Sequence, residues 1–368
     1  MLVAPLQLGI STSNLLTVVY LAFFFVFIVF GQQLQYYISI GSVGRAVDRL
    51  MGAKDEATRE TLQYLAAGKP AEDSAKKLAQ LIEFVTIMPE TLDPAGIVPK
   101  MQQVVRNSDV RVRSEIQRIV GVDEPVRVSV AQNMVEIASS LTTIYKVVRH
   151  YYLTSRKTRS YFTLVQLQAS MPQIMEMADA LGAATRSIAK AQPMGDGLGA
   201  LVASRLMAGL PKEPIARDTV LCKTAYKGRT LYVVKAEGPM GYVGEPDEAI
   251  RKVVEEMKVE LSAIIMADAA LKLEGEKTGE MVEGMGAAIG GIGTEKFGIE
   301  EVAAKHSIPI YAILVKESQV EALTAMRKEI AEAAQGVLDA TTAVIEQRTK
   351  EGDSVLFAGI GNTLGIGQ

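Results

Sequence analysis

The chain opens on an apolar block and then changes rhythm twice. Leu15–Phe30 reads LLTVVYLAFFFVFIVF, without a charge and with five of the nine Phe, and the first charge in the chain is Arg45. A run of this density must leave water. With its uncharged flanks it approaches the roughly 20 residues that span a bilayer core as a helix. Tyr20 and the Tyr36–Tyr37 pair are rings of the kind that gather at membrane interfaces. The pattern predicts a single transmembrane helix within residues 1–44. A cleaved signal peptide would need a basic start and a small-residue cleavage site, and the sequence has neither. Arg45, Arg49 and Lys54 follow the block, while the leading tail has no Lys or Arg. That asymmetry predicts a cell-membrane, single-pass protein with its N-terminus outside and the bulk of the chain cytoplasmic.

From residue 45 to 192 the apolar positions recur at helical spacing. Val43, Ala46, Val47, Leu50, Met51, Leu62 and Leu65 predict a helix that stops at Gly68-Lys69-Pro70. Leu78, Leu81, Ile82 and Val85 place a second over 75–87. Pro89, Pro94 and Pro99 then punctuate a linker, and shorter helices are expected between Met101 and Val120. Two long helices follow, over 126–155 and 159–191. Their stripes are Met134, Ile137, Ala138, Leu141, Ile144, Tyr145 and Val148, then Leu164, Leu167, Met171, Ile174, Met175, Ala178 and Leu181. Pro172 is a candidate kink. Packed as a hairpin, the two would bury one seam and offer a second to another subunit, so a homo-oligomer is expected.

After residue 192 the period shortens. Thr219–Tyr226 and Thr230–Val234 are β-rich runs around Lys227-Gly228-Arg229, a hairpin signal. Pro246–Met257 has helical spacing. Leu261–Met266, Ile308–Val315 and Ser354–Ile360 are short apolar runs that read as buried strands. Ser318–Arg348 reads as one long helix opening on a Ser318/Glu321 capping box. The expected fold class is α/β: an N-terminal transmembrane helix (1–44), an all-α helical region (45–192), then a C-terminal open, mostly parallel α/β sheet domain (193–368).

Charge divides along the same line. Residues 45–190 carry 20 Lys/Arg against 16 Asp/Glu, which leaves 19 against 26 for the rest and a net charge of −3. That balance is too mild for non-specific nucleic-acid binding by the whole chain. Two His exclude a His-rich metal site, and the single Cys222 cannot form an internal disulfide. One basic cluster stands out at the turn between the two long helices. Lys146, Arg149, His150, Arg156, Lys157 and Arg159 alternate there with Tyr145, Tyr151, Tyr152 and Tyr161. An RNA or anionic-lipid contact is one reading. A solvated helix corner with tyrosines beneath it is the favoured one.

The candidate chemistry lies in the glycines. KAEGPMGYVGEP, ADAALKLEGEKTGEMVEGMGAAIGGIG and AGIGNTLGIGQ each follow the carboxyl end of an expected strand. Open α/β sheets bind ligands at that edge, and Gly lets backbone N–H groups approach an anion. The candidate ligand-binding residues are Asp196, Gly197, Glu237, Gly238, Gly241, Gly244, Asp268, Lys277, Gly361 and Asn362. Lys277 is the expected phosphate contact. Asp268 and Glu237 are the candidate metal ligands, with Mg²⁺ as the candidate cofactor. The competing reading gives the glycines to turns and close packing, and Asp196 to a helix N-cap, its favoured role. No catalytic residue is assigned. Glu276 separates Gly275 from Lys277 and spoils a P-loop, there is no Gly-x-Ser-x-Gly or Cys-x-x-Cys, and His306 precedes its strand at the opposite edge.

The segments FGQQLQ, PMGDGLGALVA, KAEGPMGYVGEP, DAALKLEGEKTGEMVEGMGAAIGG and AGIGNTLGIG cover nearly the whole length. In them the chain resembles an archaeal family of single-pass membrane proteins known only as a domain of unknown function. The resemblance implies an archaeal origin and no activity. The leading expectation is a membrane-anchored cytoplasmic protein whose C-terminal domain binds a small anionic, phosphorylated ligand, with enzyme activity left open. The alternatives are an oligomeric membrane-associated scaffold without activity, and recruitment of RNA or ribosomes to the membrane through the basic, Tyr-rich turn.

Overall fold

The computed structural model describes residues 12–66, 71–89, 96–120, 124–291 and 293–368. The leading tail through residue 11, the stop at Gly68–Pro70 and positions 90–95 of the linker lie outside the described residues. Helices lead the chain: α1 (Thr12–Ala66), α2 (Ala71–Ile82), α3 (Ile97–Val120), α4 (Pro125–Thr158) and α5 (Tyr161–Ala189). α3 is one helix where shorter pieces were expected, and α5 runs through Pro172 without a break in the element. The contacts divide the chain into two compact units, Met1–Gly52 with Thr143–Met175, and Ala53–Thr142 with Glu176–Gln368.

The first unit is helical. Val43, Val47 and Leu50 of α1, Val148 of α4, and Leu164, Leu167 and Met171 of α5 are buried in it. Tyr152 lies over Gly44, where an added Cβ would sit 3.1 Å from the phenol oxygen, and the Tyr36 hydroxyl donates to the Ser155 carbonyl at 3.3 Å. Toward the start of α1 the large side chains from Leu15 to Phe27, and Phe30, stand exposed.

Here the sequence expectation is corrected. Among the described residues no helix is long and apolar enough to cross a membrane. The uninterrupted apolar run rises only about 24 Å at 1.5 Å per residue, short of the roughly 30 Å hydrocarbon core. Gln32, Gln33 and Gln35 follow it at once. Uncharged flanks are not apolar flanks, and the single-pass reading and the orientation built on it lose their premise.

The second unit joins helices to a sheet. Leu65 of α1, Leu78 and Leu81 of α2, Ile116 and Ile119 of α3, and Val128, Ala131 and Val135 of α4 form one core. The sheet follows from α6 (Leu198–Leu206), β1 (Glu213–Ala216), β2 (Thr219–Tyr226), β3 (Arg229–Ala236), α7 (Pro246–Arg251), β4 (Leu261–Leu271), β5 (Met281–Met285), α8 (Thr294–Lys305), β6 (Ile310–Glu317), α9 (Gln319–Leu323), α10 (Lys328–Arg348) and β7 (Ser354–Gly359). Its order is β1-β2-β3-β7-β4-β6-β5. Leu198, Val202, Met207, Ile330, Val337 and Ile345 bring α6 and α10 onto one face. Ile250, Val253, Ile299 and Val302 bring α7, the turn after it and α8 onto the other. Alternate residues of the central strands feed the two cores: Ile265, Val355 and Phe357 one, Ile264, Met266 and Leu356 the other.

The sheet is mixed, which corrects the expected mostly parallel one. β3, β7, β4 and β6 are mutually parallel, but β1–β2, β2–β3 and β5–β6 pair antiparallel. The β2–β3 turn is Lys227-Gly228, both at positive φ (44° and 76°), the two-residue hairpin geometry that matches strand twist. β5 arises inside the stretch taken as a Gly-rich loop. All five of its residues are exposed at the sheet edge, so no buried apolar pattern marks it. The long helix expected from Ser318 is two, α9 and α10. Ser318 caps α9 with the full capping box, its hydroxyl accepting from Glu321 N–H at 3.2 Å and Glu321 Oε2 accepting from Ser318 N–H at 2.8 Å.

Candidate functional site

The carboxyl ends of the parallel strands open onto a cleft within the second unit. β4 runs past its neighbour: its last pair with β7 is Ala267↔Gly359, while its pairing with β6 continues to Leu271↔Glu317. Asp268 is the first residue beyond β7. Around it close three loops, held by specific bonds. After β3, Gly241 N–H donates to Ser129 Oγ at 2.7 Å and its carbonyl accepts from Asn133 Nδ2 at 3.0 Å, which fastens the loop to α4. After β7, Ile360 N–H donates to the Ala267 carbonyl at 2.9 Å and Gly365 N–H to the Pro239 carbonyl at 3.0 Å. The Thr363 hydroxyl lies within bonding reach of the Glu237, Met240 and Tyr242 carbonyls. Before α6, the turn Gly195–Gly197 carries Asp196, whose Oδ2 accepts from Asn362 N–H at 3.1 Å. Asp196 does not cap α6; Gly197 holds that position without a side-chain bond.

The cleft encloses about 910 Å³. Its lining comes from α3 (Gln102, Arg106, Asp109, Arg113), α4 (Gln132, Asn133, Glu136), the β1–β2 turn (Arg217, Asp218), the loops after β3 and β7, and Asp196 and Asp268. Nine carboxyl side chains line it against three guanidiniums. All three arginines are engaged. Arg113 forks onto Asp218 at 3.0 and 2.6 Å and lies 4.2 Å over the Tyr242 ring; Arg106 Nε donates to Glu245 Oε1 at 3.0 Å. Arg217 Nη2 bonds Asp109 at 3.2 Å, and its Nε stands 3.0 Å from Glu245 Oε1 as an ion pair without hydrogen-bond geometry.

Several carboxyls here resist ionisation. Burial pushes Glu136 up to about 7 against a bond from Gln132 Nε2, and pushes Asp247 up to about 6. Burial also raises Asp196, and raises Asp268 well above the carboxylate range, with the Asp196 charge adding to it. Behind them Glu317, at the end of β6, is pushed up to about 8 by burial and then by Asp196, Glu321 and Asp268. Glu321 goes the other way, down to about 2. Bonds from Ser318 N–H, Thr278 and Lys272 outweigh its burial.

Of the residues picked from the sequence, Asp196, Gly241, Gly244, Asp268, Gly361 and Asn362 line the cleft; Gly197, Glu237, Gly238 and Lys277 do not. Gly197, Gly238 and Gly361 allow close packing, since an added Cβ would meet the Asn362, Ile366 and Asp196 carbonyl oxygens at 2.6, 1.8 and 1.8 Å. Lys277 is exposed in the turn before β5. Glu237 does not join Asp268 in the cleft lining, and among the described residues no group of three or more His, Cys, Asp or Glu could hold a metal ion. The helical contribution was invisible in sequence, because Gln102, Arg113 and Asn133 reach the edge only through tertiary packing. Glu317 had a signal: the charge that closes the apolar run IPIYAILVKE. In the first unit the basic cluster is exposed at the end of α4, with Arg156 5.7 Å over Tyr152.

A comparison with curated proteins finds no match. Two family models together span nearly the whole chain. Residues 17–191 match "Protein of unknown function (DUF1512) N-terminal domain" and residues 194–367 match "Domain of unknown function (DUF1512) C-terminal". The chain therefore belongs to the DUF1512 family, whose N- and C-terminal parts meet just before the turn that carries Asp196.

Proposed function

We propose that the second unit is a small-molecule binding module whose ligand occupies the cleft at the carboxyl edge of the sheet. The observation that carries this reading is the cleft itself. A cavity of about 910 Å³ is within the usual range for small-ligand sites, and its polar groups come from both the helices and the sheet loops. The lining argues against a bare anion. Its arginines are bound to Asp218, Glu245 and Asp109, carboxyls outnumber them, and Lys277 lies elsewhere. A neutral or cationic ligand rich in hydrogen-bonding groups suits it better than a free phosphate. We further propose an archaeal origin, from the resemblance carried by FGQQLQ and the Gly-rich segments.

Thermal unfolding of the full chain against sugars, nucleosides, amines, amino acids and phosphates tests the reading. A true ligand at 100 times its dissociation constant adds about 2.7 kcal/mol, and Asn362→Ala, which alters the cleft wall, should weaken the response. A panel without a single stabilising compound would remove the proposal.

A second reading, self-association into a scaffold, has one observation behind it. The large apolar side chains of α1 from Leu15 to Phe27, and Phe30, Leu34, Tyr37 and Ile38, stand exposed, more than a monomer ordinarily leaves in water. Sedimentation of the full chain decides it: a monomer at about 100 µM excludes a scaffold built on a second copy of α1.

A further inference from the structure

Among the described residues no Lys or Arg acts on Asp196 and Asp268 at the floor of the cleft, or on Glu317 behind them. Asp268 stands where β4 outruns β7 and is 7% exposed; Asp196 faces it from the turn before α6. Glu317 lies directly behind that turn. An added Cβ at Gly195 would be 2.5 Å from its Oε2, it is 2% exposed, and neither of its carboxyl oxygens has a hydrogen-bond partner. The charged groups that act on Glu317 are all acidic: Asp196 on the turn, Asp268 on β4 and Glu321 on α9. Lys272 and Arg327 pair instead with Glu321, at 3.3 and 2.7 Å, and Lys316 with Glu276 at 2.6 Å.

These three carboxyls stand on separate elements, Asp268 and Glu317 buried and Asp196 half-buried; burial holds them toward the protonated form, and a positive group among them would let them ionise. A metal ion draws its oxygens to within about 2.0–2.6 Å of one point, and no described cluster converges that far. An ammonium group instead reaches three acceptors through directed N–H bonds of about 2.8 Å, and so tolerates a wider set. We propose that this acidic floor is a subsite for a primary ammonium group, with Asp268 and Asp196 accepting its hydrogen bonds and Glu317, which gives up its proton when the cation is bound, adding negative charge behind them. The inference rests on the small-ligand reading of the cleft and adds the ligand class, a small amine.

The test compares methylammonium, tetramethylammonium and magnesium chlorides at equal ionic strength, by thermal unfolding of the full chain. Methylammonium should stabilise; tetramethylammonium, which has no N–H, should not. Asp268→Asn should abolish the response, and Glu317→Gln should weaken apparent affinity about tenfold or more, as loss of a charged partner does. Three outcomes overturn the proposal: equal responses to the two ammonium ions, an unchanged response in Asp268→Asn, or a shift with magnesium alone. No response to methylammonium, with stabilisation by a neutral sugar or nucleoside, would also overturn it while leaving the cleft as the binding site.

Discussion

Replacing Glu317 by Gln removes a titratable proton and almost nothing else. Glu317 is 2% exposed, and burial together with Asp196, Glu321 and Asp268 pushes its carboxyl from 4.5 up to about 8. Between those values the folded chain holds a proton that the unfolded chain has released. Folding therefore weakens as pH rises through that window and is unaffected by this group below it. At about 1.4 kcal/mol per pH unit, the gap from 4.5 to about 8 amounts to at most about 5 kcal/mol. The acidic neighbours exchange protons with Glu317, so part of that figure is shared with them. Urea unfolding of wild type and Glu317→Gln from pH 5 to pH 9 isolates the effect. The variant should match wild type within about 1 kcal/mol at pH 5 and exceed it by about 3 kcal/mol or more at pH 9. Parallel stability curves across that range would refute the reasoning, because they would mean that Glu317 already ionises at its ordinary value in the fold.

Gly199 lets α6 touch the strand ends, and an added Cβ would lie 2.1 Å from the Ala267 carbonyl oxygen and 2.3 Å from that of Ile360; Gly199→Ala should cost about 3 kcal/mol, read as a lower urea midpoint, and an unchanged midpoint would contradict the packing. Arg113→Ala loses both bonds to Asp218 and the contact with Tyr242, about 2–3 kcal/mol. Arg113→Lys should recover less than half, since an ammonium cannot fork; full recovery would show that charge alone matters. Ser318→Ala removes the N-cap of α9 and should cost about 1 kcal/mol, while Ser318→Asp, another good cap, should hold near wild type in the same denaturation assay.

Local chemistry was legible where neighbours in sequence are also neighbours in space. The Lys227-Gly228 turn and the Ser318/Glu321 cap are short-range devices, visible as residue types at fixed offsets. Buried strands β4, β6 and β7 announced themselves as apolar runs. β1 and β5 are exposed or half-exposed edges, so burial left no period to read. The break between α9 and α10 was also silent, because residues 324–326 leave the helix to meet the Pro193–Gly195 segment: Met326 N–H donates to the Pro193 carbonyl at 2.7 Å and Gly195 N–H to that of Thr324 at 3.2 Å. Asp196 and Asp268 could be chosen from sequence as acids beside Gly-rich turns. Their partner Glu317 showed only as the charge closing an apolar run; that it stands near them is set by the sheet register, which places β6 next to β4. Lys277 was misplaced for a related reason: an expected loop at the cleft is the connection to an edge strand. The apolar block in α1 reached a membrane-spanning length only by counting its uncharged flanks, and Gln32, Gln33 and Gln35 make the following flank polar.

The place of β7 bears on how the sheet comes to exist. It is the last strand to be synthesised, yet it fills the gap between β3 and β4. Until it is made, a β1-β2-β3 meander and a β4-β6-β5 group have no hydrogen bonds joining them across the sheet. Pairings such as Thr230 with Ser354 close chain loops of more than a hundred residues, the kind of distant contact that slows folding. On the ribosome the two halves would wait with open edges, and the final insertion both joins them and sets down the loop that carries Gly361 and Asn362. The wall of the cleft that Gly361 and Asn362 form therefore depends on β7 being in place between β3 and β4.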